Sequence, residues 1–267
     1  NSWEQKGDPL PGKAQTKGGE YALASLEKAF KAVDKGLADV LVTGPINKEI
    51  IQSDKFNFPG HTEYFSYQKG GCKTLMLMCS GQLKIGVATG HIPVKEIANS
   101  LSQKLILEKL VLLNQTLNID FDIPSPKIAV LGLNPHAGDN GLLGKEEESI
   151  ISPAISDAKE NHINANGPFS ADGFFGSKAY LDYDGILAMY HDQALVPLKL
   201  MGFGKSVNIT LGLPLIRTSV DHGTAFDRAA SFNSDPSSME AAIKAAIRLC
   251  GSSTVVADPD WFWICFY

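Results

Sequence analysis

The stretch DGILAMYHDQALVPLKLMGFGKSVNITLGLPLIRTSVDHGT, residues 184–224, decides the fold of this 267-residue chain. Its apolar run from Gly185 to Met189 has the length and flanks of a buried strand. Tyr190, His191, Asp192 and Gln193 follow at once, so a histidine stands where a strand hands over to a helix. Lys199, Asn208, Arg217, Asp221 and His222 come next, separated by glycines and prolines. Open α/β sheets collect ligands at the carboxyl ends of their strands. These ionisable groups and an amide, presented by turns rather than by a helix stripe, predict a site for a small anionic molecule.

Outward from that stretch the chain alternates helices and strands. YALASLEKAFKAVDK (21–35) has helical spacing and runs into the buried strand ADVLVTG (38–44). CKTLMLMCS (72–80) and LKIGVATG (83–90), joined by a Gly-Gln turn, predict a hairpin and so a mixed sheet. A helix is expected from Val94 to about Leu117, with Ile97, Leu101, Leu105 and Leu112 buried. KIAVLGL (127–133) is a further strand, 146–161 a helix, and a loop through Pro168 to Phe175 carries Asp172. Ser237 to Leu249 closes the pattern as a helix, with its serine as N-cap. The expected fold is α/β around a mixed sheet, with residues 1–267 forming one region of two lobes.

The totals narrow the function. A net charge of −5 with no dense Lys/Arg cluster argues against a nucleic-acid or anionic-membrane partner. No stretch reaches membrane-spanning length and no signal peptide opens the chain, so cytoplasm is the expected compartment. Cys72, Cys79, Cys250 and Cys265 lack zinc-ribbon or CxxC spacing and read as free thiols. The aromatic tail ADPDWFWICFY (257–267) carries no functional reading.

His91, His136 and His191 each come off the carboxyl end of an apolar strand, which would bring them to one edge of a sheet. Three neutral imidazoles with an open position make a catalytic metal site. The alternative is three unrelated histidines that cap strands through the backbone. Asp172 is either a further ligand or an orienting partner, or else an Asx turn. Arg217 lies in the apolar setting LGLPLIRTSV, where a guanidinium is costly unless it is paired or faces a ligand. With Lys199 and Asn208 it forms the expected anion side. No Walker motif and no GxGxxG after a strand occurs, so a Rossmann-type cofactor site is not expected.

GPINK (44–48), GHTEYF (60–65), TGHIP (89–93), GLNPHAGDNG (132–141), SADGFF (170–175), AMYHDQALVPLK (188–199) and GFGKSVNITLGLPLIRTSVDHGTAFD (202–227) together resemble the 4-hydroxythreonine-4-phosphate dehydrogenase family, the PdxA-type enzymes of pyridoxal phosphate synthesis. The resemblance spans about 21–230. It implies the two-lobed α/β/α fold of the isocitrate and isopropylmalate dehydrogenases, and NAD or NADP as cofactor. It implies His91, His136 and His191 as ligands of a divalent metal (zinc, magnesium or cobalt), with Asp172 near it. His61, Thr62, Lys199, Asn208 and Arg217 become contacts to a phosphorylated substrate, and Asp172 and Lys199 catalytic candidates. Asp221, His222 and Thr224 are cofactor candidates along the glycine-rich last motif. The family works as a homodimer with its site across the interface. Its members carry a further N-terminal part, so an incomplete lobe is expected here.

The chemistry so implied is oxidation of a secondary alcohol by hydride transfer, then loss of CO2 from the β-keto acid. Two substrate readings stay open on one scaffold: 4-phosphohydroxy-L-threonine, or 4-phospho-D-threonate and 4-phospho-D-erythronate. A metal-dependent phosphate-ester lyase or phosphatase without dinucleotide, and a non-catalytic binding protein, are the rivals from other classes.

Overall fold

The structure is a computed structural model that describes residues 10, 12–202, 204–229, 233, 235–252 and 264–265. The polar opening before residue 10 and nearly all of the aromatic tail lie outside them. Its strands are β1 (Val40–Thr43), β2 (Leu75–Ser80), β3 (Leu83–Thr89), β4 (Ile128–Leu131), β5 (Ala165–Phe169), β6 (Gly185–Tyr190), β7 (Val207–Leu211), β8 (Ile216–Val220) and β9 (Ile264–Cys265). The helices are α1 (Thr16–Asp34), α2 (His61–Gln68), α3 (Ile97–Ser100), α4 (Gln103–Ile119), α5 (Ser152–Glu160), α6 (Ala171–Gly176), α7 (His191–Gly202), α8 (Phe226–Ala229) and α9 (Ser237–Ser252).

All strands join one sheet in the order β5-β4-β6-β3-β2-β7-β8-β1-β9. The run β5-β4-β6-β3 is parallel. β2 lies antiparallel to β3 and β7, and β7 antiparallel to β8, before β8-β1-β9 return to parallel pairing. The mixed sheet thus follows the expected hairpin. Ser80 pairs with Leu83 across the two-residue turn Gly81-Gln82. Gly81 has φ 57°, the left-handed geometry that matches such a turn to strand twist.

Register sorts the side chains between two faces. Val40, Val42, Leu75, Leu77, Val130, Leu187, Ile209 and Leu211 pack in one core cluster with Ile106, Leu110, Leu113 and Leu117 of α4 and with residues of α5 and α9. Each α4 residue named is fully buried, stabilising by about 1.5–3 kcal/mol against exposure. On the other face, α6 and α7 cover Met78, Ile85, Val87, Ile186 and Ala188. Further along that face, Leu23, Leu26 and Phe30 of α1 and Phe65 of α2 cover Leu41. Between these two caps the face stays open. Met76, Asn208, Arg217 and Ser219 point into the gap.

Several local expectations change. The helix after Val94 breaks at Leu101, because Ser102 adopts extended backbone and its hydroxyl accepts from Leu105 N at 3.1 Å. The new helix starts in a different phase, so Leu105 and Leu112 are half-buried. The loop through Pro168 contains β5, on the sheet's edge, where a proline costs no ladder bond. Asp172 then sits on α6. The helix expected over 146–161 opens with a π-helical turn, Glu147–Ile151. Ser237 is the first residue of α9; its hydroxyl donates to Gly204 O while Asp235 accepts from Ser237 N. Most consequentially, the anion residues are not on turns. Lys199 is on α7, Asn208 on β7 and Arg217 on β8.

Candidate active site

The open face forms a cleft of about 430 Å3. Its floor is sheet, one wall is Gly60–Glu63 at the start of α2, and the opposite wall is His91, His191, Leu195 and Lys199. Lys48, from the segment after β1, and Asp221, His222 and Gly223, from the turn after β8, complete it. Nine of the twelve residues singled out from sequence line this one cavity: His61, Thr62, His91, His191, Lys199, Asn208, Arg217, Asp221 and His222. His136, Asp172 and Thr224 do not.

Arg217 dominates the floor. It is 2% exposed, and no carboxylate is salt-bridged to it among the described residues. Its Nη1 donates to Thr210 Oγ1 at 2.9 Å and its Nη2 to Thr43 Oγ1 at 2.6 Å. The guanidinium carbon lies 5.9 Å from the Phe65 ring centroid. Burial lowers the group's pKa to about 10, against the opposing charge of Glu63. Nε of Arg217 and Oδ1 of Asn208 are both buried without a partner. A cation held in place by neutral hydroxyls, beside an idle acceptor, is arranged to receive an anion that also offers a donor.

The walls differ in charge. Lys199 Nζ is 3.6 Å from Asp221 Oδ1, and Asp221 Oδ2 accepts from Ser206 Oγ at 2.8 Å, which holds the lysine over the cleft. His61 stacks on Phe65 and is held neutral, its pKa well below the ordinary 6.5 through burial first, then the charges of Arg217 and Lys48. Thr62 Oγ1 is 3.4 Å from Thr210 Oγ1, which joins this wall to the arginine's own partner.

His91 and His191 meet at the carboxyl ends of the parallel neighbours β3 and β6, ring centroids 5.2 Å apart. Burial, then Lys48 and His191, lower the His91 pKa. His191 Nδ1 is 2.7 Å from Asp192 Oδ1, which orients the ring and leaves Nε2 for another partner. This pair fits two positions of a divalent cation. His136 leaves the same sheet edge after β4, parallel to β6, but stands outside the cleft. It is exposed, on a short turn with φ 53°, near Asp172. Asp172 is also bonded by the Ser170 hydroxyl, the largest cause of its lowered pKa. Among the described residues no group of three His, Cys, Asp or Glu side chains could hold a metal.

Lys48, Glu63 and Lys109 also line the cleft and were not singled out as site residues from sequence. Lys48 had a signal: it follows the carboxyl end of β1, the position that marked the histidines. Glu63 lies within GHTEYF, one of the motifs that carry the family resemblance, whereas Lys109 had no signal, because it lies on a helix whose pattern reads as ordinary amphipathic surface.

The open face of a mixed α/β sheet thus carries an arginine without a carboxylate partner in the same cleft as two adjoining imidazoles, an arrangement suited to a small anionic ligand. The family described as pyridoxal phosphate biosynthetic protein PdxA matches residues 3–246, and this chain belongs to it. A 4-hydroxythreonine-4-phosphate dehydrogenase of Bacteroides thetaiotaomicron is 49% identical over 243 residues, covering 91% of this chain and 65% of the relative. One from a Sulfurihydrogenibium species is 44% identical, covering 89% and 73%. A crystal structure of 4-hydroxythreonine-4-phosphate dehydrogenase from Klebsiella pneumoniae superposes with a TM-score of 0.81 at 36% identity, covering 91% of this chain and 74% of that one. The chain thus spans just under two thirds of the Bacteroides relative. No helix among the described residues is long and apolar enough to cross a membrane.

Proposed function

We propose that this chain, like the 4-hydroxythreonine-4-phosphate dehydrogenases it resembles, is a dehydrogenase of pyridoxal phosphate biosynthesis, and that it oxidises and decarboxylates 4-phosphohydroxy-L-threonine to 3-amino-2-oxopropyl phosphate with NAD or NADP. The observation that carries this reading is Arg217, a buried and unpaired cation on the floor of the cleft that holds His91 and His191. It calls for a ligand with an anionic end and a reacting end some distance away.

Arg217, Lys199 and Asn208 hold the phosphate in this reading, with His61 and Thr62 from the facing wall. That remote binding energy fixes where the carbinol carbon lies and reduces the entropy cost of reaction. His91 and His191 would hold a divalent cation, which as a Lewis acid polarises the alcohol and carboxylate oxygens, while the nicotinamide accepts the hydride. Lys199 supplies positive charge near the carbon chain. Asp221, His222 and Thr224 are the residues we assign to the dinucleotide.

His136 and Asp172, near one another outside the cleft, complete the site of a second copy of the chain in a homodimer. What supports this is their exposure together with that of apolar neighbours. Leu142 after His136 and Val94 after His91 are 78% and 79% exposed. The test is the appearance of reduced nicotinamide on adding 4-phosphohydroxy-L-threonine, NAD and a divalent metal. No reduced nicotinamide with that substrate, but turnover of 4-phospho-D-erythronate, would move the substrate assignment and keep the mechanism.

A further inference from the structure

Glu147 is a buried carboxylate with no place in the cleft, only 3% exposed. Its Oε1 accepts from Leu133 N at 2.8 Å and from Asn134 N at 2.7 Å, and its Oε2 accepts from Asn134 Nδ2 at 2.9 Å. Three donors converge on one acceptor-only group. Asn134 Nδ2 is shared with Glu146 Oε2 at 2.7 Å. The same short run is tied from its other side, because Gln193 Nε2 donates to Gly132 O at 2.7 Å and Gly132 N to Phe169 O at 2.8 Å. Gln193 Oε1 in turn accepts from Met189 N at 2.7 Å, next to the strand end that carries His191.

What this run supports is backbone that would not hold itself. His136, Ala137, Asp139 and Asn140 all have positive φ, between 44° and 55°, a left-handed conformation that costs most residues energy. Room for the carboxylate is made by two glycines. A β-carbon on Gly132 would lie 3.1 Å from Glu147 Oε1, and one on Gly138 would lie 2.7 Å from Oε2. Glu147 itself enters on the π-helical turn, a geometry that recurs at functional sites.

We propose that Glu147 is a positioning residue for His136. It anchors Leu133 and Asn134, so that the left-handed turn presents the imidazole in one place on the surface that meets the second copy of the chain. The proposal rests on the reading of His136 as a metal ligand, and the experiment separates the two.

Zinc is titrated by calorimetry into the full chain, into Glu147→Gln, Asn134→Ala and His136→Ala, and into each of the first two combined with His136→Ala. The neutral amide of Glu147→Gln places a donor where Asn134 Nδ2 also donates. Asn134→Ala removes part of the anchor and keeps both backbone bonds. Expected is a loss of zinc affinity of about 10–100-fold for Glu147→Gln, as for other groups that orient a ligand, and a smaller loss for Asn134→Ala. Neither substitution should weaken zinc further once His136 is alanine. Wild-type zinc affinity in both variants, with His136→Ala impaired, overturns the proposal. So does an equal loss with and without His136, since that is general loosening of the fold. Should Glu147→Gln not fold, Asn134→Ala decides alone. Unchanged affinity in His136→Ala overturns the ligand reading, and the proposal with it.

Discussion

The imidazoles of His91 and His191 stand 5.2 Å apart at 46° to one another, each delivered by the end of a different strand of one parallel pair. Because β3 and β6 are hydrogen-bonded neighbours, their ends cannot separate without breaking the sheet. His91 sits two residues past the end of β3 and His191 opens α7 directly after β6, so both are anchored close to that sheet edge. His191→Ala and His91→Ala should each lose divalent-metal binding and activity together while the fold persists. Asp192→Asn, which alters the bond to His191 Nδ1, should weaken metal binding by about 10–100-fold. Metal content measured on purified protein checks all three, and full content in His91→Ala would refute the assignment.

Arg217 gives a prediction in which stability and function move in opposite directions. Holding a single charge out of water without an ionic partner costs several kcal/mol, and even buried ion pairs are often replaced by apolar side chains of similar volume without loss of stability. Arg217→Met should therefore melt no lower than wild type, yet bind the phosphorylated substrate at least about tenfold more weakly. Inorganic phosphate should raise the melting midpoint of wild type and leave that of Arg217→Met unmoved. A melting point far below wild type would mean that the guanidinium is there to hold β1 and β7 together.

His61 and pH are linked with a definite sign. Its folded pKa is depressed below the ordinary 6.5, mainly by burial, so below that pH the unfolded chain binds a proton that the folded chain refuses. Stability is thus full above about 6.5 and falls as pH drops through the folded value. Thermal midpoints of His61→Asn should show a shallower acid limb than wild type and no difference in pH dependence above neutrality. Identical slopes in the acid range would remove this histidine from the account.

Ser102 tests the break in the helix after Val94. Its hydroxyl accepts from Leu105 N and starts α4 in the phase that buries Ile106, Leu110, Leu113 and Leu117. Ser102→Ala should cost about 1 kcal/mol, a fall of about 2–4 °C in melting midpoint, with activity intact. A Ser102→Asp variant should restore it.

Much of the architecture was legible because strong local signals and the fold agree. The apolar runs at 38–44, 127–133 and 185–189 became β1, β4 and β6, and the Gly-Gln turn became the hairpin that makes the sheet mixed. Less was legible between 203 and 222. Asn208, Arg217 and Ser219 are polar residues of β7 and β8 that face an open cleft, and Thr210 on the same face is buried beneath the arginine. Polar side chains on a strand read as turn when the cavity they face is unknown. β5 was hidden for a related reason: ANGPF has poor strand propensity and holds as an edge strand against β4.

The chain's own order of residues determined which chemical groups it offers: imidazoles at strand ends, one arginine inside an apolar run, and motifs that resemble those of the PdxA family. Those are properties of neighbours along the backbone, where spacing and hydrophobic pattern act directly. Only the tertiary structure decided which of these groups share a cavity. Strand register put Arg217, Ser219 and Asn208 on one face of the sheet, where they share a cleft with His91 and His191, while the left-handed turn after β4 leaves His136 outside it near Asp172. Register is set by packing between strands far apart in sequence, and a shift of one residue turns a side chain from cleft to core.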